Sequence, residues 1–177
     1  MKRWMGLAGI FWSVFSLAAG ADKVTTFDEG RLEIALPDGW KPTQQTLAGS
    51  DSIAGWESSD RKTSFYVLQL RLQSQANDMR VSLQATIDAM DKDDNWMVQK
   101  IGEIRDITLN GLPASYVSVD LELRAGKKPV PFVFHFAMVG ARNSFFLLQS
   151  STMKPIWKPR EDEIIRMMKS FKVLKEE

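Results

Sequence analysis

The sequence predicts one α+β domain in which an antiparallel sheet of about six to seven strands is covered by helices. Three observations favour this fold class. Several stretches alternate polar and apolar residues with the period of two that a half-buried strand shows. Two other stretches repeat apolar residues at helical spacing, and turn-forming residues separate consecutive strand-like stretches. Helices packed on an antiparallel sheet define the α+β class.

Three strands are expected before the first helix. Residues 31–36 alternate polar and apolar side chains, and residues 37–39 (Pro-Asp-Gly) end that strand with turn chemistry. Residues 52–58 form a second candidate strand. Residues 63–72 form a longer one that carries apolar side chains on both faces, which indicates a better buried strand.

The spacing then changes to that of a helix. Apolar residues recur at intervals of four, four and three, which places them in one stripe. Asn77 or Asp78 is expected to cap the first turn of this helix, since both are preferred N-cap residues. The stripe consists of Met79, Leu83, Ile87 and Met90.

A meander of four strands is expected next. Asn110 and Gly111 lie between two apolar runs, and this dipeptide is a strong signal for a tight hairpin turn. Residues 130–139 are the most apolar of the predicted strands. The four strands are residues 96–107, 116–124, 130–139 and 144–150.

The chain ends in a second predicted helix. Pro159 suits a first helical position, and the acidic residues 161–163 suit the positive end of the helix dipole. The apolar stripe of this helix has only the sheet to cover, so we expect it to belong to the core. It consists of Ile164, Met167, Met168 and Phe171.

The first 21 residues have the pattern of a secretory signal peptide. Lys2 and Arg3 precede an apolar stretch at residues 7–18, and residues 19–21 (Ala-Gly-Ala) supply the small residues that a signal peptidase reads. We therefore expect cleavage after Ala21, a mature domain of residues 22–177, and a periplasmic or secreted location without stable membrane insertion. The alternative is that the segment is retained as an anchor, because its uncharged stretch is at the lower limit for a spanning helix.

Composition excludes several kinds of function. The chain of 177 residues has no Cys and one His, so it has neither a disulfide framework nor a multi-histidine zinc site. Its net charge of +1 gives no reason to expect nucleic acid as a partner. Residues 91–102 resemble a calcium loop only in part, because Trp96 and Gly102 stand where Gly and Glu are needed. We expect no metal and no cofactor.

The single histidine is the clearest candidate for chemistry. Matching the apolar faces of the two central strands pairs Leu121 with Phe134, which places Asp120 opposite His135. A carboxylate in that position would raise the pKa of the imidazole and orient it. Such a pair is either a structural contact on the polar face of the sheet or the acid–base pair of a small hydrolase.

Tryptophan residues are the second candidate. Trp40 and Trp157 lie at the edges of predicted elements, so we expect them to be the more exposed pair and to contribute to a ligand or partner surface. Packing in the core is the alternative for the aromatic residues as a group.

Three phrases, taken in order, resemble the sequences of the PsbP-like family, which includes the bacterial DcrB-type periplasmic proteins. They are residues 32–40 (Leu-Glu-Ile-Ala-Leu-Pro-Asp-Gly-Trp), residues 110–114 (Asn-Gly-Leu-Pro-Ala) and residues 164–173, which end in Ser-Phe-Lys-Val. The resemblance implies an α/β/α sandwich and a non-enzymatic accessory or binding role with a protein partner in the cell envelope. Ala21 stands where the lipoprotein members carry Cys.

Overall fold

The structure, a computed structural model, describes residues 22–43, 52–71, 78–124, 126, 128–142 and 144–175. The predicted signal peptide, residues 1–21, lies outside the described residues. The described part contains eleven strands and two helices. In chain order they are β1 (Lys23–Phe27), β2 (Leu32–Leu36), β3 (Lys41–Pro42), β4 (Ser52–Glu57), β5 (Thr63–Arg71), α1 (Met79–Asp91), β6 (Trp96–Ile101), β7 (Arg105–Leu109), β8 (Leu112–Leu123), β9 (Val130–Gly140), β10 (Ser144–Met153), α2 (Trp157–Ser170) and β11 (Lys172–Val173).

The main sheet is antiparallel and has eight strands rather than the six to seven expected. Its order is β3-β4-β5-β10-β9-β8-β6, and β7 also pairs with β8. One reason for the larger number is that the predicted strand 96–107 is divided in two by a close approach at Gly102. The Gly102 N–H donates to the Ser118 carbonyl at 2.8 Å, and a Cβ at Gly102 would lie 2.8 Å from the same oxygen.

A second, three-stranded sheet has the order β1-β2-β11. The predicted strand at residues 31–36 is the central strand of this sheet. The predicted alternation of that strand is confirmed, because Leu32, Ile34 and Leu36 are buried while the residues between them are half-buried. The outer strands β1 and β11 were not expected from the sequence. The small sheet packs its apolar side chains into the same core cluster as α2.

The main sheet has a helix on each face. Alternation along β8 sends Val117, Val119 and Leu121 to the face that α1 covers, where Leu83 and Ile87 are buried. Residues of the opposite parity on β8, including Ala114 and Tyr116, face α2 and the small sheet. The predicted α+β domain with helices on both sides of an antiparallel sheet is therefore confirmed.

Both helices begin and pack close to where the sequence predicts. Asp78 caps α1, and its carboxylate accepts hydrogen bonds from the backbone N–H groups of Arg80 and Val81. Helix α2 begins at Trp157, two residues before the expected Pro159, because a short 3₁₀ turn at Lys154–Ile156 leads into it. The expected stripe is buried on α2, and Phe171, which follows the helix directly, is 0% exposed.

Candidate functional site

The residues that the sequence singles out gather around the first half of α2. Trp157 is the first residue of the helix, and its ring centroid lies 6.4 Å from that of His135. The indole N–H of Trp40 donates to a carboxylate oxygen of Glu163 at 2.8 Å. Asp120 accepts from the ammonium group of Lys154 at 2.7 Å, just before the helix begins.

His135 is completely buried on the α2 side of β9. Its Nδ1 lies 2.6 Å from the Tyr116 hydroxyl oxygen. Burial lowers the pKa of His135 below its ordinary 6.5, and the opposing effects of Glu161 and Asp120 are smaller. Burial also raises the pKa of Tyr116 to about 12. The hydroxyl therefore keeps its proton at neutral pH, and we assign it as the donor to Nδ1, which leaves the imidazole proton on Nε2.

The predicted pairing of Asp120 with His135 is wrong. In the β8–β9 register Ser118 lies opposite His135, and Asp120 lies opposite Val133. The error is a shift of two residues, and such a shift leaves every side chain on its own face of the sheet. Matching apolar faces therefore cannot distinguish the two registers. Asp120 pairs with Lys154 instead, so the acid–base pair does not form as a cross-strand contact.

The expected exposure of Trp40 is also wrong. Trp40 is only 9% exposed and belongs to the core on the α2 side of the sheet. Its partner Glu163 also accepts from Arg160 at 2.9 Å. Arg160 in turn lies 3.5 Å from the Asp60 carboxylate. Trp40 therefore connects the turn after β2 to α2, because its ring packs in the core while its N–H finds a carboxylate partner.

Trp157 is partly exposed, as its position at the edge of an element suggests. The ammonium group of Lys158 lies 4.7 Å from the centroid of its ring, within the range of a cation–π contact. The same ammonium group pairs with Glu161 at 2.6 Å. The first turn of α2 thus covers His135 with one aromatic ring and a neutralised pair of charges.

A groove on the opposite face of the sheet was not expected from the sequence. Helix α1 lies mainly over β6, β8 and β9, and a groove of about 840 Å³ runs beside it over β5 and β10. We call this the α1 groove. Its apolar lining comes from Tyr66, Leu68, Leu70, Ala85, Ala89, Met90, Trp96, Phe132, Phe134 and Leu147. Its polar lining comes from Ser64, Ser82, Thr86, Asp93, Gln149 and Ser151.

Aromatic contacts organise one end of the α1 groove. Trp96 makes edge-to-face contacts with Phe132 and Phe134, at centroid distances of 5.9 and 5.2 Å. At the end of β5 the groove meets a second, more polar groove of about 600 Å³, and the two share Tyr66 among their lining residues. The Tyr66 ring lies over Gly55, where a Cβ would be 2.6 Å from the ring.

The α1 groove had one signal in the sequence. Residues 63–72 carry apolar side chains on both faces, which indicates cover on both sides. The apolar pattern of residues 63–72 does not predict where α1 lies across the sheet. Over the residues that the structure describes, no group of three metal-ligating side chains comes together. Neither described helix is long and apolar enough to cross a membrane.

Comparisons with known proteins place the fold. No family model matches the chain, and no curated protein matches it by sequence. Solved structures do match: the cyanobacterial PsbP (CyanoP) of Synechocystis sp. PCC 6803 has a TM-score of 0.62 at 12% identity, over 93% of this chain and 99% of that one. The chain therefore has a PsbP-like fold, as the resemblance implies.

Two further structures share this fold. The Ran-binding protein Mog1p of Saccharomyces cerevisiae has a TM-score of 0.57 at 12% identity, over 87% of this chain and 96% of that one. LpqN of Mycobacterium tuberculosis, described as involved in cell envelope biogenesis, has a TM-score of 0.57 at 11% identity, over 87% of this chain and 91% of that one. At these identities the likeness is one of fold alone.

Proposed function

We propose that this protein is an exported, non-enzymatic binding or accessory protein of the cell envelope, and that it holds a segment of a protein partner in the α1 groove. The observation that carries the proposal is the groove itself. Most of the described residues that line it are apolar, and Gln149 and Ser151 add an amide and a hydroxyl group to the same sheet face as Leu147, which is the mixture of a mainly apolar lining and a few polar groups that binding sites use. Its volume of about 840 Å³ lies within the range of binding sites.

The charge of the α1 groove favours a neutral apolar segment as its occupant. Among the described residues that line it, Asp93 is the one charged residue. An apolar stretch of polypeptide would place its side chains on the floor, formed by residues such as Leu68 and Leu147, and its backbone polar groups near Gln149 and Ser151. Most of the described lining offers no counter-charge to a strongly charged ligand.

The proposals of export and of an accessory role are supported by observations other than the α1 groove. Residues 1–21 have the pattern of a cleaved signal peptide, and residues 32–40 resemble the corresponding phrase of the PsbP-like family, which includes the DcrB-type periplasmic proteins. LpqN, which shares the fold, is described as involved in cell envelope biogenesis, and Mog1p is described as Ran-binding. Both descriptions belong to those proteins, and they support an accessory role here.

The geometry around His135 supports a non-enzymatic role. It is the one histidine of the chain, it is 0% exposed, and its Nδ1 is bonded to Tyr116. The hydrolase alternative needs an imidazole that can reach a substrate, and it needs Asp120 beside it. Asp120 is instead paired with Lys154.

Site-specific crosslinking in the cell envelope tests the proposal. Ala85 and Ala89 are exposed residues of α1 that line the groove. A photo-crosslinking amino acid at position 89 should form a covalent adduct with a protein partner in the envelope fraction. The adduct should weaken when Ala85→Arg is introduced in the same chain, because the guanidinium would fill the groove.

Val81 provides the matched control. It lies on the same helix, is 58% exposed and is not among the lining residues of the groove. The crosslinker at position 81 should give no adduct, or a different one that Ala85→Arg does not weaken. Equal adducts from positions 81 and 89 would contradict the proposed groove, and a chain that stays in the cytoplasm would contradict the proposed export.

A further inference from the structure

Four polar side-chain atoms on the α2 side of the main sheet are buried and have no hydrogen-bond partner among the described residues. They are Nε2 of His135 and the hydroxyl oxygens of Thr63, Ser150 and Thr152. His135, Ser150 and Thr152 are 0% exposed and Thr63 is 2% exposed. Buried polar atoms in folded proteins almost always have a partner, so each of these atoms requires an explanation.

The strand registers place the four residues in one continuous patch, which we call the polar layer. Ser150 on β10 lies opposite His135 on β9, and Thr152 lies opposite Thr63 on β5. Ser150 and Thr152 are two residues apart on one strand and therefore share a face. Directly opposite residues have Cβ atoms about 4.5–5.5 Å apart, a separation that one small molecule can bridge between short side chains.

The surroundings select a neutral occupant. The charged groups that face His135 are Glu161 and Lys158 on α2 and Asp120 on β8. Glu161 is paired with Lys158 and Asp120 with Lys154, so neither an anion nor a cation is favoured. The Trp157 ring lies beside His135 on the α2 side of the sheet, and the burial of all four residues disfavours a large ligand.

Water fits the chemistry of the polar layer. Each of the three hydroxyls can donate one hydrogen bond and accept two, and Nε2–H of neutral His135 can donate one. Water matches this mixture because it both donates and accepts, and buried waters in proteins bridge polar groups that lack protein partners.

We propose that the polar layer is a buried water-binding site, in which ordered water molecules bridge Nε2 of His135 and the hydroxyls of Ser150, Thr152 and Thr63 on the α2 side of the main sheet. The inference is independent of the α1 groove, which lies on the other face of the sheet. It assigns to these four residues a hydrogen-bonding role within a mainly apolar core.

The replacement Thr152→Val tests the site, because the denaturant midpoint of unfolding should change in opposite directions for a hydrated and for a dry layer. Valine has nearly the shape of threonine but cannot bond to water. If water occupies the layer, Thr152→Val should lower the denaturant midpoint of unfolding, because a bonded hydroxyl is lost. Ser150→Ala should lower it as well. Thr26→Val on β1, where the threonine is exposed, is the matched control and should leave the midpoint nearly unchanged.

A high-resolution crystal structure of the full mature chain supplies the second readout. It should show ordered density within hydrogen-bond distance, about 2.7–3.2 Å, of at least two of the four atoms. A higher midpoint for Thr152→Val would overturn the proposal, because removing a dry, unpaired hydroxyl stabilises a protein. Hydroxyl groups bonded directly to one another or to backbone carbonyls, with no ordered water between them, would overturn it equally.

Discussion

At the scale of single residues, the environment of His135 makes the stability of the protein depend on pH. Its imidazole is buried against Tyr116, and burial holds its pKa below the ordinary 6.5. The unfolded chain, in which the imidazole is in water, therefore takes up the proton more readily than the folded protein. Proton uptake by the unfolded state favours unfolding.

The first prediction follows from this difference. His135 should have no effect on the pH dependence of the free energy of unfolding well above pH 6.5, and that free energy should decrease as the pH falls below 6.5. The variant His135→Gln should lose much of that decrease, since glutamine does not titrate. Denaturant unfolding of both proteins across this range is the measurement. An identical pH dependence in the two proteins would mean that His135 is not protonated differently in the folded and unfolded states.

The roles of some residues could be predicted from the sequence, and those of others could not. The capping role of Asp78 follows from local chemistry, because an N-cap residue bonds only to the first turn of its own helix. The burial of Trp40 does not, because Trp40 packs into a core formed by distant parts of the chain and donates to Glu163, which is 123 residues away. The partner of Asp120 depends on a register that differs from the predicted one by two residues, and the face pattern contains no information on such a shift.

At the scale of elements, α2 and the residue that follows it anchor the core on one side of the sheet. Ile164, Met167 and Met168 are buried along the helix. Phe171 is completely buried just after it, with its ring 5.6 Å from that of Phe146 on β10. The helix is therefore attached to the sheet by its whole apolar stripe and not by a few terminal contacts.

The second prediction tests that attachment. Phe171→Ala should lower the free energy of unfolding by about 3–5 kcal/mol, because it removes a fully buried ring and leaves a cavity. Leu174→Ala is the neighbouring control, and at 46% exposure it should cost under about 1 kcal/mol. Chemical denaturation gives both values. A cost for Phe171→Ala as small as that of the control would mean that the end of α2 is peripheral.

Elements with strong local signals were predictable and weakly patterned ones were not. Asn110 and Gly111 have positive φ angles of 47° and 82°, so the hairpin they predict is confirmed by the backbone that such a turn needs. Strand β1 has no buried residue, and its two apolar residues, Val24 and Phe27, lie on opposite faces, so its sequence shows no polar–apolar alternation to detect. The division of residues 96–107 arises from contact between Gly102 and Ser118, which is a tertiary effect.

At the scale of the whole molecule, the fold class was predictable because it depends on the order and periodicity of long elements. The α1 groove was not, because it depends on how far one helix extends across a sheet. Helix α1 leaves β5 and β10 beside it rather than beneath it. No local pattern in residues 79–91 specifies that position.

The third prediction concerns processing of the whole chain. Protein purified from its source cells should begin at Asp22, because residues 19–21 (Ala-Gly-Ala) end an apolar segment as a signal-peptidase site does. Intact-mass spectrometry of the envelope and secreted fractions measures this directly. An intact Met1 terminus in the membrane pellet would instead indicate a retained anchor.

Complementation of a deletion strain tests most directly whether function lies in the α1 groove and not at the histidine. Ala85→Arg and Ala89→Arg should abolish complementation at protein levels matched to the wild type, since both block the groove from an exposed helix face. Val81→Arg and His135→Gln should both complement. The opposite pattern, with a folded His135→Gln protein inactive and both groove variants active, would contradict the account and restore the acid–base interpretation.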